Sequence, residues 1–148
     1  MRPFNRPAPM AAFTEKWKEW TANWIKRREK NVGAKFYWPR YPNAKGTPIN
    51  QQMTPILFGV TEWHCAYCDG FPLRNNDETI DHFMPKSKYP QLAYAWENLF
   101  PVCSACQTAK MEQFDELLLK PDEEGFDFQN YFIVDYITFE LLDRKSTR

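Results

Sequence analysis

Long apolar runs are missing from this chain of 148 residues. Nothing reaches the ~18 consecutive apolar residues that a membrane span requires, and the first residues lack the apolar core of a secretory signal. These absences argue against membrane insertion and favour a cytoplasmic location. There is no internal repeat and no low-complexity segment, which excludes solenoid architectures. Histidine is scarce, at two residues, and cysteine stops at four. No His-x-Glu element occurs, so the zinc-deaminase arrangement, which needs one beside an open zinc position, is disfavoured.

Net charge is also lacking, but the zero total is unevenly built. Residues 1–50 carry eleven Lys/Arg against three acids, residues 51–110 four against six, and residues 111–148 four against ten. A positive N-terminal third either meets a phosphate backbone or is neutralised by the acidic C-terminal part within the fold. At this length one compact domain is expected, read as an N-terminal helical extension and connector (1–50), a core (51–120) and a C-terminal β element (121–148).

Every cysteine falls in one of two pairs, Cys65-Ala66-Tyr67-Cys68 and Cys103-Ser104-Ala105-Cys106. A Cys-x-x-Cys knuckle turns two thiolates toward one tetrahedral ion, and two knuckles complete a closed, structural site. Spacing and inferred compartment favour zinc on reduced thiolates over two disulfides. His64, next to Cys65, is not needed as a ligand. The linker between knuckles exceeds that of a simple zinc ribbon, so a substructure must be inserted there, and it contains Asp81-His82. A neutral imidazole suits proton abstraction from water near pH 7, and an adjacent carboxylate suits a hard divalent cation. Successive strand residues face opposite sides, so both serve one site only where the strand ends or bulges; Pro85 makes an ending plausible. Taken singly, Asp81, His82 and Asn98 also read as a turn former, a satisfied core histidine and a turn residue.

Around this centre the pattern is mixed. Phe13, Trp17, Trp20 and Trp24 recur at helical steps and predict a core-facing helix over about 10–30, closed by Lys26-Arg27-Arg28-Glu29-Lys30, a run suited to a solvated helix end or to phosphate. Residues 36–50 read as an irregular connector. A short helix runs to about Glu62, starting at Thr54-Pro55 or earlier at Pro48. Phe71–Arg74 and Glu78–Phe83 read as a hairpin turned by Asn75-Asn76-Asp77, Glu97–Val102 as a strand, Ser104–Leu119 as a helix ended by Pro121, and Phe126–Leu142 as one or two strands. The fold class expected is α+β.

The phrases Asp81-His82-Phe83-Met84-Pro85, Glu97-Asn98-Leu99-Phe100-Pro101-Val102-Cys103 and Cys106-Gln107-Thr108-Ala109-Lys110 together resemble the HNH endonuclease signature over roughly residues 62–115. The resemblance implies a ββα-metal core. In it His82 is the general base, Asp81 binds a catalytic Mg²⁺ or Mn²⁺, and Asn98 braces the loop and orients His82. The cysteines Cys65, Cys68, Cys103 and Cys106 hold structural Zn²⁺. The remaining cation ligand in that family is His or Asn where this chain has Gln107, a departure that keeps a neutral oxygen donor but moves it outward by about one bond length. Lys86, Lys88 and Lys110 are candidate nucleic-acid contacts; solvated lysines are the alternative for the first two, and a cover over the first helical turn for Lys110. The stretch Pro85–Trp96 further resembles nuclease subunits of Septu-type and retron-associated anti-phage systems, in which an ATPase subunit accompanies the nuclease. The resemblance thus implies a metal-dependent nuclease acting on nucleic acid, DNA more than RNA. A zinc-stabilised binding module disabled at Gln107 is the alternative.

Overall fold

The computed structural model describes residues 1–43, 45–71, 73 and 77–144. Helix α1 (Ala11–Lys30) follows an extended N-terminal segment, and a small antiparallel pair, β1 (Arg40–Tyr41) and β2 (Thr47–Pro48), leads into α2 (Ile49–Val60). Strand β3 (Glu78–His82) pairs antiparallel with β4 (Leu99–Cys103), which runs straight into α3 (Ser104–Lys110). A C-terminal hairpin, β5 (Phe132–Val134) and β6 (Leu141–Asp143), completes an α+β chain. No helix among the described residues is long and apolar enough to cross a membrane.

The helical stripe of α1 does what its period predicts. Phe13 and Trp24 are buried, and Trp17 and Trp20 pack partly buried between them. The stripe serves two clusters. Phe13 meets Trp96 in the main core at 5.0 Å between ring centroids, whereas Trp24 joins Ala93 and Tyr94 in a second cluster. Burying a side chain of this size is worth about 2–3 kcal/mol, so α1 is docked by its aromatics. Helix α2 takes the earlier of the two possible starts, with Pro48 as N-cap and Pro55 inside the helix. Its Ile49, Met53, Leu57 and Phe58 are buried, and the helix packs against β3 and β4.

Two elements differ from the local reading. Strand β3 pairs with the distant β4 rather than with the segment just before it. Phe71 and Leu73 are not strand residues, and Leu73 N–H instead bonds Trp63 O at 3.1 Å; Pro72, Arg74, Asn75 and Asn76 lie outside the described residues. Helix α3 ends at Lys110 rather than near Leu119, because Met111 takes a left-handed φ of +46°. That turn brings Phe114 back onto Phe83 and Tyr89, at centroid distances of 5.7 and 5.5 Å.

The N-terminal segment and the stretch around Asp122 are tied to the central hairpin by one buried cation. Arg6 donates to the carbonyls of Trp96 and Leu99, both at 2.9 Å, and pairs with the buried carboxylate of Asp122. Its guanidinium lies over the Phe100 ring at 4.5 Å.

Candidate active site

The register of the hairpin decides which backbone groups face where. Phe83 N–H bonds Asn98 O at 2.9 Å and Ser104 N–H bonds Asp77 O at 3.1 Å. Since bonded pairs alternate along an antiparallel ladder, Thr79↔Val102 and Asp81↔Phe100 are bonded pairs and Ile80↔Pro101 is not. Pro101 therefore sits where its missing N–H removes nothing from this ladder. The same alternation turns the carbonyls of Ile80 and His82 to the outer edge of β3. Helix α3 closes that edge: Gln107 Nε2 donates to Ile80 O at 3.1 Å, and Lys110 Nζ to His82 O at 2.7 Å. On the other side, Ala66 N–H takes Pro101 O at 2.9 Å, which fixes the first cysteine knuckle against β4.

The knuckles converge. All four Sγ atoms of Cys65, Cys68, Cys103 and Cys106 lie within 4.8 Å of one another, and Cys68 and Cys103 Sγ are 3.9 Å apart. A disulfide needs about 2.05 Å, whereas sulfurs on a tetrahedral zinc stand about 3.8 Å apart. Backbone donors already face the sulfurs: Cys103 N–H points at Cys65 Sγ (3.3 Å), Gly70 N–H at Cys68 Sγ and Cys106 N–H at Cys103 Sγ (both 3.4 Å). Burial and the neighbouring sulfurs push the Cys106 thiol far up. Four sulfurs crowded this closely favour a shared cation that replaces their protons, and the donor set fits zinc. Cys103 is both the last residue of β4 and the N-cap of α3, its Sγ accepting from Cys106 N–H, so the metal frame fixes where α3 begins.

Asp81 faces the helix side of β3. Its Oδ2 accepts from Tyr67 Oη at 3.0 Å and pairs with Lys110 Nζ at 2.9 Å, both side chains of the ion pair being nearly buried. Burial and the Asp81 carboxylate raise the Tyr67 phenol strongly, so it stays a donor. Both bonds fall on Oδ2. The Asp81 carboxylate and the amide oxygen of Gln107 are each hard donors of the kind Mg²⁺ accepts alongside water and substrate phosphate. The residues fit such an ion in chemistry, with Lys110 already partly neutralising the carboxylate. A cleft of about 930 Å³ opens beside Tyr67, Lys88, Cys106 and Lys110.

His82 faces the other way, into aromatic packing, and is 5% exposed. Its ring lies nearly parallel to Trp38 (5.6 Å, 11°) and edge-on to Phe36 (5.2 Å). Nε2 lies 2.9 Å from Ala93 O; a carbonyl only accepts, so Nε2 carries the hydrogen and Nδ1 carries the lone pair. Burial, helped by the charge of Lys86, pushes the His82 pKa down to about 3 against the pull of that carbonyl. The imidazole is thus neutral at pH 7, in a single tautomer.

Asn98 braces the loop by three bonds: its Oδ1 accepts from Met84 N–H at 2.7 Å, and its Nδ2 donates to Met84 O and Leu92 O, both at 3.0 Å. The expected amide bond to His82 is replaced by the Ala93 carbonyl, one residue beyond the carbonyl Asn98 holds. His64 stays off the cysteine cluster, its Nδ1 3.0 Å from Asp69 O. Lys86 lies over the Phe36 ring at 5.2 Å, and Lys88 is exposed at the cleft. Sequence reasoning did not single out Tyr67, Phe36, Trp38 or the Ala93 carbonyl. Tyr67 sits inside a knuckle where the cysteines alone carry the signal, and the aromatic pair belongs to a connector without period.

The HNH endonuclease family model matches residues 65–113. The Septu protein PtuB of Bacillus thuringiensis is 38% identical over 58 residues, which is 36% of this chain and 21% of that protein. The chain thus spans about a fifth of the length of that curated relative. No solved structure matches. The knuckles, the Asp81-His82 strand, the β4 return and the capping helix all lie inside the segment 65–113 that matches the HNH endonuclease family model.

Proposed function

We propose that this chain is a metal-dependent endonuclease that hydrolyses phosphodiester bonds in DNA rather than RNA. In this reading it is the cytoplasmic nuclease subunit of an anti-phage defence system with an ATPase partner, and structural zinc sits on its four cysteines. The nuclease core lies in residues 51–120, flanked by the helical extension of 1–50 and the β element of 121–148. The observation that carries the nuclease reading is His82, held neutral in one tautomer by Ala93 O at the end of β3, one residue after Asp81, whose carboxylate faces α3. The defence context is supported by the likeness to the Septu protein.

Hydrolysis needs water to lose a proton as its oxygen attacks phosphorus. Nδ1 of His82 accepts that proton, the new P–O bond forms as the bond to the leaving ester oxygen breaks, and solvent protonates the leaving oxygen. A divalent Mg²⁺ or Mn²⁺ held by Asp81 and Gln107, when bound, supplies Lewis-acid polarisation of the scissile phosphate. Lys110, at 2.9 Å from Asp81, adds positive charge where the phosphate arrives, and Lys88 lines the same cleft. Asn98 keeps the 84–92 loop, and with it the Ala93 carbonyl, in place.

Purified zinc-loaded protein incubated with duplex DNA, single-stranded DNA and RNA in Mg²⁺ or Mn²⁺ tests this. His82→Ala is expected to abolish cleavage with zinc content unchanged; cleavage that survives removes His82 as the base. A second reading, a zinc-stabilised binding module without catalysis, is favoured by the Lys110 ammonium on Asp81 and by the cover over His82. Gln107→Asn or Gln107→His separates the two: a gain in cleavage marks a weakened nuclease, and silence in all variants favours the binding module.

A further inference from the structure

A second set of charges, most of it outside the matched segment, adjoins the loop that follows His82. We propose that the end of α1, the connector behind it and the loop after β3 form one nucleic-acid grip, in which Lys26, Arg28, Lys30, Lys35 and Lys86 hold phosphates and Tyr37 offers a ring face to a base. This deepens the nuclease reading and rests on it for the direction in which the strand is led.

Three observations carry it. First, the charge is concentrated and not neutralised. Residues 26–38 hold five Lys/Arg and one acid, and none of the five proposed phosphate contacts is in an ion pair among the described residues. Lys26, Lys30 and Lys35 are exposed. Second, the surface is built. Arg27 donates to Lys35 O at 2.8 Å and lies over the Tyr37 ring at 4.5 Å, Tyr94 Oη donates to Tyr37 O at 2.7 Å, and Arg28 reaches Lys86 O at 3.5 Å. Tyr37 is 52% exposed, a large ring held in place with one side open. A cationic track with a fixed aromatic face is the combination that holds nucleic acid without reading its sequence.

Third, the track leads to the site. Lys86 lies over Phe36, Phe36 meets His82, and the same loop carries Lys88 to the cleft beside Asp81 and Lys110. An acidic protein segment would also be drawn to these charges, but continuity with the His82 loop favours a phosphodiester chain.

The test uses the zinc-loaded chain with no added Mg²⁺ or Mn²⁺, so that binding is read without cutting. Fluorescence anisotropy of a labelled DNA duplex is followed against salt, for wild type and for the combined variant Lys26→Gln, Lys30→Gln, Lys35→Gln. The log–log slope is expected to fall by about 2.7, and affinity near 0.1 M salt by more than about tenfold. The matching Lys→Arg variant is expected to bind as wild type, which separates charge from folding. Unchanged binding by the Gln variant overturns the grip, and so does wild type that ignores DNA or prefers polyglutamate. Wild type that binds through this face but never cuts defeats the nuclease reading alone. Wild type that cuts, with KM unmoved in the Gln variant, defeats the grip alone.

Discussion

His82 and Asn98 show what individual side chains contribute to the site. The folded chain holds the His82 pKa at about 3 against an ordinary 6.5. As pH falls below 6.5 the unfolded chain takes up a proton there and the folded chain does not. Stability therefore drops with acid, by up to about 1.4 kcal/mol per pH unit until the folded value is reached. Denaturant unfolding at pH 6.5 and pH 5 is expected to show about 1.6 kcal/mol of this loss in wild type, absent from His82→Gln at the same zinc loading. Asn98→Ala leaves the N–H and carbonyl of Met84 without partners and takes one of its two donors from Leu92 O. Its cost is expected at about 2–4 kcal/mol by chemical denaturation, with cleavage falling because the carbonyl that fixes the His82 tautomer is no longer braced.

At the scale of elements, the four-cysteine frame and the hairpin depend on each other. Helix α3 has only seven residues, too few to persist alone in water. It is held at its start by Cys103 and Cys106 and along its side by Gln107 and Lys110 on the edge of β3. A strong chelator is expected to lower the melting temperature and to raise hydrogen exchange in α3 before α1. Because the cation replaces thiol protons, zinc affinity is expected to weaken as pH falls, measurable by competition with a chromogenic chelator. The cysteine spacing, the stripe of α1 and the two strands of the hairpin were legible in the sequence, since each rests on a local pattern. The pairing of β3 with β4 was not, because turn chemistry near Asp77 pointed to a nearer partner and the actual one is set by burial. The length of α3 was hidden too: Met111–Leu119 contains good helix formers, and the contact of Phe114 with Phe83 and Tyr89 overrides them. At the site, residue types marked Asp81 and His82. No sequence rule told that Gln107 would turn its amide nitrogen to Ile80 O, or that aromatic rings from a distant connector would cover the imidazole.

For the whole molecule, Arg6 is the residue on which three segments meet. It joins the N-terminal stretch, the 96–99 turn and Asp122, in a setting where its side chain is only 10% exposed and that of Asp122 4%. Arg6→Ala would leave the buried Asp122 carboxylate with Lys120 alone, at 3.4 Å, and take the donor from Trp96 O and Leu99 O, so a loss on the order of 3 kcal/mol is expected in equilibrium unfolding. Arg6→Ala combined with Asp122→Ala should recover part of it. If the double variant is as unstable as the single, the pair is not what holds these segments.

The double closure of the central hairpin has a consequence for assembly. Strands with an unoccupied side are templates for neighbours of the same kind, yet here one flank is sealed by side chains of α3 and the other by the first knuckle. The tail hairpin instead leaves Tyr136, Ile137 and Phe139 largely bare. Any filament or complex that this chain enters by adding strands would therefore leave the Asp81-His82 hairpin outside the join.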